Sequence, residues 1–297
     1  MALFERLSSL LREPPPALAF EIGEAGIAVA RLRPRGEMTF QPLKPGAISV
    51  SPVRDNIVVP DELAAAVRAA AGPNGARRRR DAALILPDYC ARVAVLDFDE
   101  FPSDRKEQLS LVRFRLRKSV PFDVEEAAVG YYPQAAGGKK VDVVAAVAPQ
   151  EIVSRYEAPF RAAGLNPGYV TTSSLAFLEL IHEKSLTVVA KRSGRVLSVM
   201  VIDKGLLRLV RSLELASQEL AEVAADLYPT FVYVEDQLGA RAGKLLLAGF
   251  GEHTEAARQQ FQSELGIEVE AVRTPAGLPG EHNAGLLGYL RHVAQVH

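Results

Sequence analysis

The stretch FEIGEAGIAVARL, residues 20 to 32, is the first place to look for chemistry. An apolar strand, a glycine-bearing turn and a second apolar strand make a hairpin whose turn N–H groups can face a phosphate. Such a site also needs a carboxylate to organise a metal ion and donors aimed at the terminal phosphate. This turn offers Glu24, Ala25 and Gly26, with neither a hydroxyl nor a lysine. The other chemistry-bearing residues are scattered. His182, His253, His282, His292 and His297 lack metal-ligand spacing, and no cysteine stands near them. The lone Cys90 excludes an internal disulfide framework, fits a reducing compartment and reads as core filling. Tyr131-Tyr132 and the Asp97/Asp99 pair have no catalytic companions and read as core packing or solvated loop. Arg77 to Arg80 form a basic run just before an apolar strand; without interleaved aromatics to stack bases, the run reads as a solvated loop.

The elements that must position these residues follow from the pattern. With 297 residues, the chain is long enough for two domains, and 48% hydrophobic with 24% charged residues is ordinary globular composition. Thirty-five basic against 36 acidic residues leave a net charge of -1, so no global field draws the protein to nucleic acid or anionic lipid. Strand patterns cover about 17–33 and 38–50. Pro60 and Asp61 then open an alanine-rich helix that stops at Gly72-Pro73. Strands at 82–87 and 91–98 precede a helix over Ser103–Lys118, capped by Ser103, with a basic outer face. Two strands near 125–133 and 141–148, a helix over 150–163, a short strand near 168–171 and a helix over 173–183 complete the first half. The second half restarts with three strands, then a helix over about 216–238 that Pro229 should kink. A strand, a helix over 253–265, another strand and a final helix over 283–295 follow. Each half opens on a three-stranded meander and continues with alternating helices and strands. That duplication predicts two similar α/β domains facing across a cleft.

The N-terminus has no continuous apolar core of the secretion-signal type, because Glu5, Arg6 and Arg12 interrupt it. No stretch is long and apolar enough to span a bilayer, so a soluble, cytoplasmic protein is expected. Residues 2–12 are amphipathic, with Leu3, Phe4, Leu7, Leu10 and Leu11 on one face. They read as a short helix docked on the body or on a partner, or as a membrane-surface foot in which Phe4, Leu7 and Leu11 make the contact.

From residue 85 onward the order of motifs becomes specific. Leu86-Pro87-Asp88, Pro121-Phe122, Glu125-Glu126 and Tyr131-Tyr132 punctuate a strand, turn, strand, helix and strand. The segment VVAAVAPQEIVSRYEAPFRAAGLNPGYVTTSSLAFLEL continues the series, and HNAGLLGYLRHV closes the chain. This order resembles the type IV pilus assembly protein PilM over nearly the whole chain. The resemblance implies an α/β fold of the actin-like (ribonuclease H-like) type, with two domains and a subdomain inserted in the first. Its divisions would be an N-terminal segment at 1–16, a first domain at 17–87 and 149–183, and an insert at 88–148. A shortened second domain would run over 184–282, and 283–297 would return to the first. The resemblance further implies a protein at the cytoplasmic face of the bacterial inner membrane. Proteins of that family capture the N-terminal tail of the bitopic protein PilN in a groove near the insert. They link the motor side of the pilus machine to its periplasmic alignment complex, and they are regarded as ATP binders.

Residue by residue, the nucleotide credentials of this chain depart from that family. Where the first phosphate hairpin of the family reads roughly D-I-G-(S/T)-(S/T)-S-V-K, residues 21–28 read EIGEAGIA. The acid is Glu21, the hydroxyls are gone, Ala28 replaces the lysine and Glu24 brings a carboxylate to the turn. The second hairpin, at residues 190–195, reads AKRSGR and lacks the metal-organising aspartate. Lys191, Arg192 and Arg195 read as solvated turn residues. Gly249-Phe250-Gly251 keeps two glycines of the adenosine motif, which a strand-to-helix turn also needs for structural reasons. The stretch between Leu213 and Lys244 is too short for the helices that wall the cleft in the family. The expected cleft residues are therefore Glu21, Gly23, Gly26, Ser193, Gly194, Gly249 and Gly251, in a degenerate site without catalysis or metal. No cofactor is expected, and Mg-ATP is the alternative occupant. The expected partner contacts are Arg113, Arg117, Val120, Pro121 and Phe122, taking a PilN-like tail. Other pilus platform proteins are further partners, nucleic acid is not, and membrane association would be peripheral, through the partner. The alternatives are an ATP-gated switch of the same machinery, with Glu21 holding magnesium, and a platform component like GspL of type II secretion.

Overall fold

Alternation along the first strands builds the first layer. In β1 (Leu18–Ile22), Leu18, Phe20 and Ile22 point to one side of the sheet and Ala19 and Glu21 to the other, all buried. Strands covered on both faces read as nearly continuous apolar runs, and β2 (Gly26–Arg31) and β4 (Arg80–Leu86) do so. With β3 (Glu37–Pro42) and β8 (Leu165–Thr172) they form a five-stranded sheet in the order β3-β2-β1-β4-β8. The computed structural model describes residues 15–16, 18–32, 37–72, 80–134, 140–275 and 277–296. Phe4, Leu7 and Leu11, like Arg77 to Arg79, lie outside them.

Helices α1 (Pro60–Ala71) and α3 (Gln150–Ala162) cover one face of this sheet through Leu63, Val67, Ile152, Tyr156 and Phe160. Between β4 and α3 the chain makes a separate three-stranded antiparallel layer, β5 (Arg92–Phe98), β6 (Ala127–Gln134) and β7 (Val141–Pro149), in the order β5-β7-β6. Helix α2 (Arg105–Leu116) packs on that layer through Val112 and Leu116. The second half repeats the first sheet's topology. Strands β9 (Thr187–Ser193), β10 (Val196–Asp203), β11 (Leu206–Glu214), β12 (Lys244–Ala248) and β13 (Glu268–Ala271) pair in the order β11-β10-β9-β12-β13. Helices α5 (Leu220–Leu238) and α6 (Thr254–Leu265) cover its outer face.

Two helices lie between the sheets. The short α4 (Ser173–Phe177) gives Ala176 to the cluster on the first sheet and Phe177 to the cluster on the second. The last helix, α7 (Ala284–Val296), divides itself the same way, with Leu286 and Tyr289 toward the first sheet and Leu287 toward the second. The two helices approach almost backbone to backbone: a Cβ at Gly288 would stand 2.0 Å from the Ala176 carbonyl oxygen. Only glycine permits that separation.

The structure corrects several boundaries. The strand expected over 38–50 ends at Pro42, and the following loop is held by Ile48 bridging Ile57. Asp104, not Ser103, caps α2, accepting from the Lys106 and Glu107 N–H groups. The helix expected over 173–183 is α4 followed by a 3₁₀ turn at Leu178–Leu180. Helix α5 starts at Leu220 rather than near 216, with Pro229 inside it. Among the described residues, no helix is long and apolar enough to cross a membrane.

Candidate functional site

The β1–β2 turn of the first sheet and the β9–β10 turn of the second face a common cleft of about 650 Å³. Gly23, Glu24, Ser193 and Gly194 line it, with Arg54 and Arg195 as its basic residues. Its floor is a buried charge pair. The carboxylate of Asp88, which follows β4, accepts from the Ser174 N–H at 2.6 Å, the Ser174 hydroxyl at 2.7 Å and the Ser198 hydroxyl at 2.9 Å. Lys191 of β9 donates to the same carboxylate at 2.9 Å, with the two side chains only 1% and 3% exposed. Burial alone would raise the Asp88 pKa; the Lys191 charge and the Ser174 hydrogen bonds outweigh it and hold the carboxyl below its ordinary value. Burial, with Asp88 beside it, pushes the Cys90 thiol well up, so this cysteine is a packing residue.

Glu281 takes up donors of the β9–β10 turn. The Gly194 N–H donates to Glu281 Oε1 at 2.9 Å, and the Ser193 hydroxyl donates to the Glu281 carbonyl at 3.1 Å. Arg192 lies 3.9 Å from the same Glu281 oxygen and over the Phe250 ring. Glu24 accepts from the Val50 N–H at 2.9 Å, and Arg195 pairs with Glu214 at 3.5 Å. Glu21 is buried outside the cleft lining. Its carboxylate accepts from the Ser173 hydroxyl and from the Gly285 and Leu286 N–H groups, the latter at 2.7 Å, at the start of α7. It caps the helix that joins the sheets.

A second concavity of about 620 Å³ lies between the inserted layer and the first sheet. Each of its two walls is an edge strand: β6 presents residues 128–132 and β8 presents residues 169–172. Valines and alanines of β7, with Leu175 and Leu178, make its floor, and Glu179 is its one charged lining residue. Burial first, and then the Glu179 charge, raise the Tyr132 pKa.

No family model matches the sequence, and no curated protein matches it. Solved structures do. One described as the PilM-PilN type IV pilus biogenesis complex superposes with a TM-score of 0.78 at 17% identity, covering 95% of this chain and 99% of that one. The chain has an actin-like fold. A Bacteroides thetaiotaomicron protein with actin-like ATPase fold and unknown function matches at TM-score 0.54 and 14% identity, over 92% of this chain and 94% of that one. The cytoplasmic domain of EpsL, an inner membrane component of the Vibrio cholerae type II secretion system, matches at 0.53 and 13%, over 94% of each chain.

In this actin-like frame, the residues expected at the nucleotide cleft separate. Gly23, Ser193 and Gly194 meet there; Glu21, Gly26, Gly249 and Gly251 are outside its lining. Gly249, at φ 77°, serves packing: a Cβ there would lie 1.9 Å from the Arg192 carbonyl oxygen. Gly26 pairs with Pro42 in the sheet. Lys191 and Arg192, expected as solvated turn residues, are both buried in β9.

The residues expected at a partner site sit apart from the apolar groove. Arg113 and Arg117 both pair with Glu125, at 3.4 and 3.2 Å. Val120, Pro121 and Phe122 line a cavity of about 190 Å³ with Val93 of β5 and Val210 of β11. The sequence reading missed Tyr132, Tyr169 and Glu179 in the groove and the Asp88–Lys191 pair under the cleft. Its one usable signal was a lysine at the end of the apolar run TVVA.

Proposed function

We propose that the protein is a non-catalytic adaptor of a type IV pilus or related secretion platform. It works at the inner face of the bacterial inner membrane and holds the extended N-terminal tail of a PilN-like bitopic protein. The observation that carries this reading is the groove between the edges of β6 and β8, which no other described strand pairs. An edge strand offers a row of free N–H and C=O groups to an added strand, and an apolar floor gives pockets to alternate side chains. The PilM–PilN complex, whose fold this chain matches along its length, supports the choice of partner.

The nucleotide cleft does not fit a magnesium triphosphate on this reading. Glu281 stands on the Gly194 N–H that would receive a phosphate, Lys191 is neutralised by Asp88, and Glu21 is committed to α7. A phosphate oxygen ~4 Å from Glu24 or Glu281 meets a repulsion of about 4 kcal/mol per charge pair at an effective dielectric of ~20.

Gly130 provides a direct test of the groove. It is exposed in β6, a Cβ there meets nothing within 4 Å, and it lines the groove. Gly130→Trp fills the groove without a backbone clash and abolishes co-purification of the tail. Phe122→Glu, at the smaller cavity, leaves co-purification intact. The reverse outcome refutes the groove assignment, and micromolar binding of Mg-ATP by calorimetry refutes the degenerate cleft.

A further inference from the structure

The apolar groove between β6 and β8 carries charge at one end only. Along β6 its lining runs from Ala128 to Tyr132, roughly 13 Å at ~3.3 Å per residue, which is room for about four to five extended residues. At the Tyr132 end three groups converge: Tyr132, Tyr169 of β8, and Glu179 of the 3₁₀ turn after α4. Burial is the first cause that raises both phenol pKa values, and the Glu179 charge adds to it at each, so the carboxylate lies close to both hydroxyls. The two tyrosines are 47% and 41% exposed, and Tyr169 is backed by Tyr289 of α7 at 5.6 Å between ring centroids. A carboxylate beside two open phenol rings attracts a cation through its own charge and through the rings. Among the described residues, no lysine or arginine pairs with Glu179; its ionisable neighbour is His292 of α7, with Nδ1 at 3.4 Å from Oε1. A neutral imidazole can donate to a carboxylate there without cancelling its charge. In the adjoining cavity, beyond Tyr132 and Leu178, Glu183 and Lys184 offset each other.

We propose that this end of the groove is a cation-recognition subsite, and that the tail held in the groove places a lysine or arginine side chain there, directly after its apolar segment. The inference rests on the reading of the groove as the seat of a bitopic partner's tail. Such a tail supplies the charge, because cytoplasmic segments close to a membrane span are enriched in lysine and arginine. An apolar run of about four to five extended residues fills the floor, and the basic residue that follows on the membrane side reaches Glu179. The floor of valines, alanines and leucines gives affinity to any apolar strand. The single carboxylate discriminates among such strands: an occupant without a cation covers Glu179 unpaired, and an occupant with an acid meets repulsion.

The probes are three amidated peptides, Leu-Thr-Leu-Thr-Leu followed by Lys, Gln or Glu, each made with an acetylated and with a free amino end. They are titrated onto the full chain at pH 8, where imidazoles are ordinarily neutral. The acetylated Lys peptide is expected to bind about tenfold tighter than the Gln peptide, with the Glu peptide weakest. The preference shrinks at 1 M salt, where the Debye length is ~3 Å. Glu179→Gln makes the Lys and Gln peptides equal and leaves the Gln peptide's affinity at its wild-type value, which shows the groove intact. Glu179→Lys reverses the order in favour of the Glu peptide. Equal binding of the Lys and Gln peptides to the wild type overturns the proposal and leaves the groove reading standing. So does a lysine preference that survives Glu179→Gln, or binding that follows the free amino end instead of the side chain. Failure of every peptide to bind, or binding that Gly130→Trp does not block, refutes the groove reading and the subsite with it.

Discussion

Replacing Lys191 by Met tests the claim that a buried ion pair ties the two sheets together beneath the cleft. Methionine keeps the volume of the side chain and removes its charge. Asp88 would then be a carboxylate 3% exposed, with only the Ser174 N–H and the Ser174 and Ser198 hydroxyls as partners. Removing one member of a buried pair costs roughly 3–5 kcal/mol, because the remaining charge stays desolvated. At about 2–4 °C per kcal/mol for chains of this size class, the midpoint of thermal unfolding falls by roughly 6–20 °C. The pH dependence then reverses. In the wild type, the folded pKa of Asp88 lies below its unfolded value. Its stabilisation is therefore complete above the unfolded pKa of ~3.9 and is lost as pH falls through the folded one. In Lys191→Met the desolvation that Lys191 had outweighed dominates and raises the folded pKa above the unfolded value. The variant is then penalised most at high pH and regains stability relative to wild type as acid protonates Asp88. The double variant Asp88→Asn/Lys191→Met removes both charges and recovers most of the loss. Calorimetric melts of the three proteins from pH 4 to 8 decide the matter. A Lys191→Met loss under ~1 kcal/mol, or one that grows on acidification, refutes the buried-pair reasoning.

Other substitutions probe the frame around the cleft. Gly249→Ala places a methyl 1.9 Å from the Arg192 carbonyl oxygen at a left-handed φ, and urea unfolding should show a loss of about 3 kcal/mol or more. Gly288→Ala drives α7 away from α4, where the Ala176 carbonyl oxygen is 2.0 Å from the new carbon. A loss of about 1–3 kcal/mol with faster amide exchange in α7 is expected. Glu21→Gln turns an amide N–H₂ toward one of the donors at the start of α7 and costs roughly 1–3 kcal/mol by urea midpoint. Calorimetry with Mg-ATP is expected to show no binding by this variant or by the wild type, since Glu21 lies outside the cleft lining.

The frame was legible in the sequence because it rests on local patterns. Hairpin alternation gave β1–β2 and β9–β10, Pro60 and Gly72 bracketed α1, and the duplicated order of elements announced the duplicated sheets. What is not local could not be read. Lys191 and Asp88 are 103 positions apart, and either residue alone is an ordinary surface type. Strand β9 explains their meeting: Val188 and Ala190 face the helices of the outer layer, so Val189 and Lys191 must face inward, toward α4, α7 and the turn after β4, where only an anion makes a buried lysine tolerable. The same holds for Glu21. As the shorter acid of a phosphate hairpin it would face the cleft; as the inward residue of β1, beside Ala19, it meets the N-terminus of a helix 263 positions later in the chain, at Ala284. Two buried acids thus hold elements together: Glu21, at the acid position of the first hairpin, anchors α7, and Asp88, in the turn after β4, anchors β9. Among the described residues, Glu24, Glu214, Glu281 and the Asp88–Lys191 pair around the cleft are engaged within the chain, while the outer edges of β6 and β8 have no partner strand.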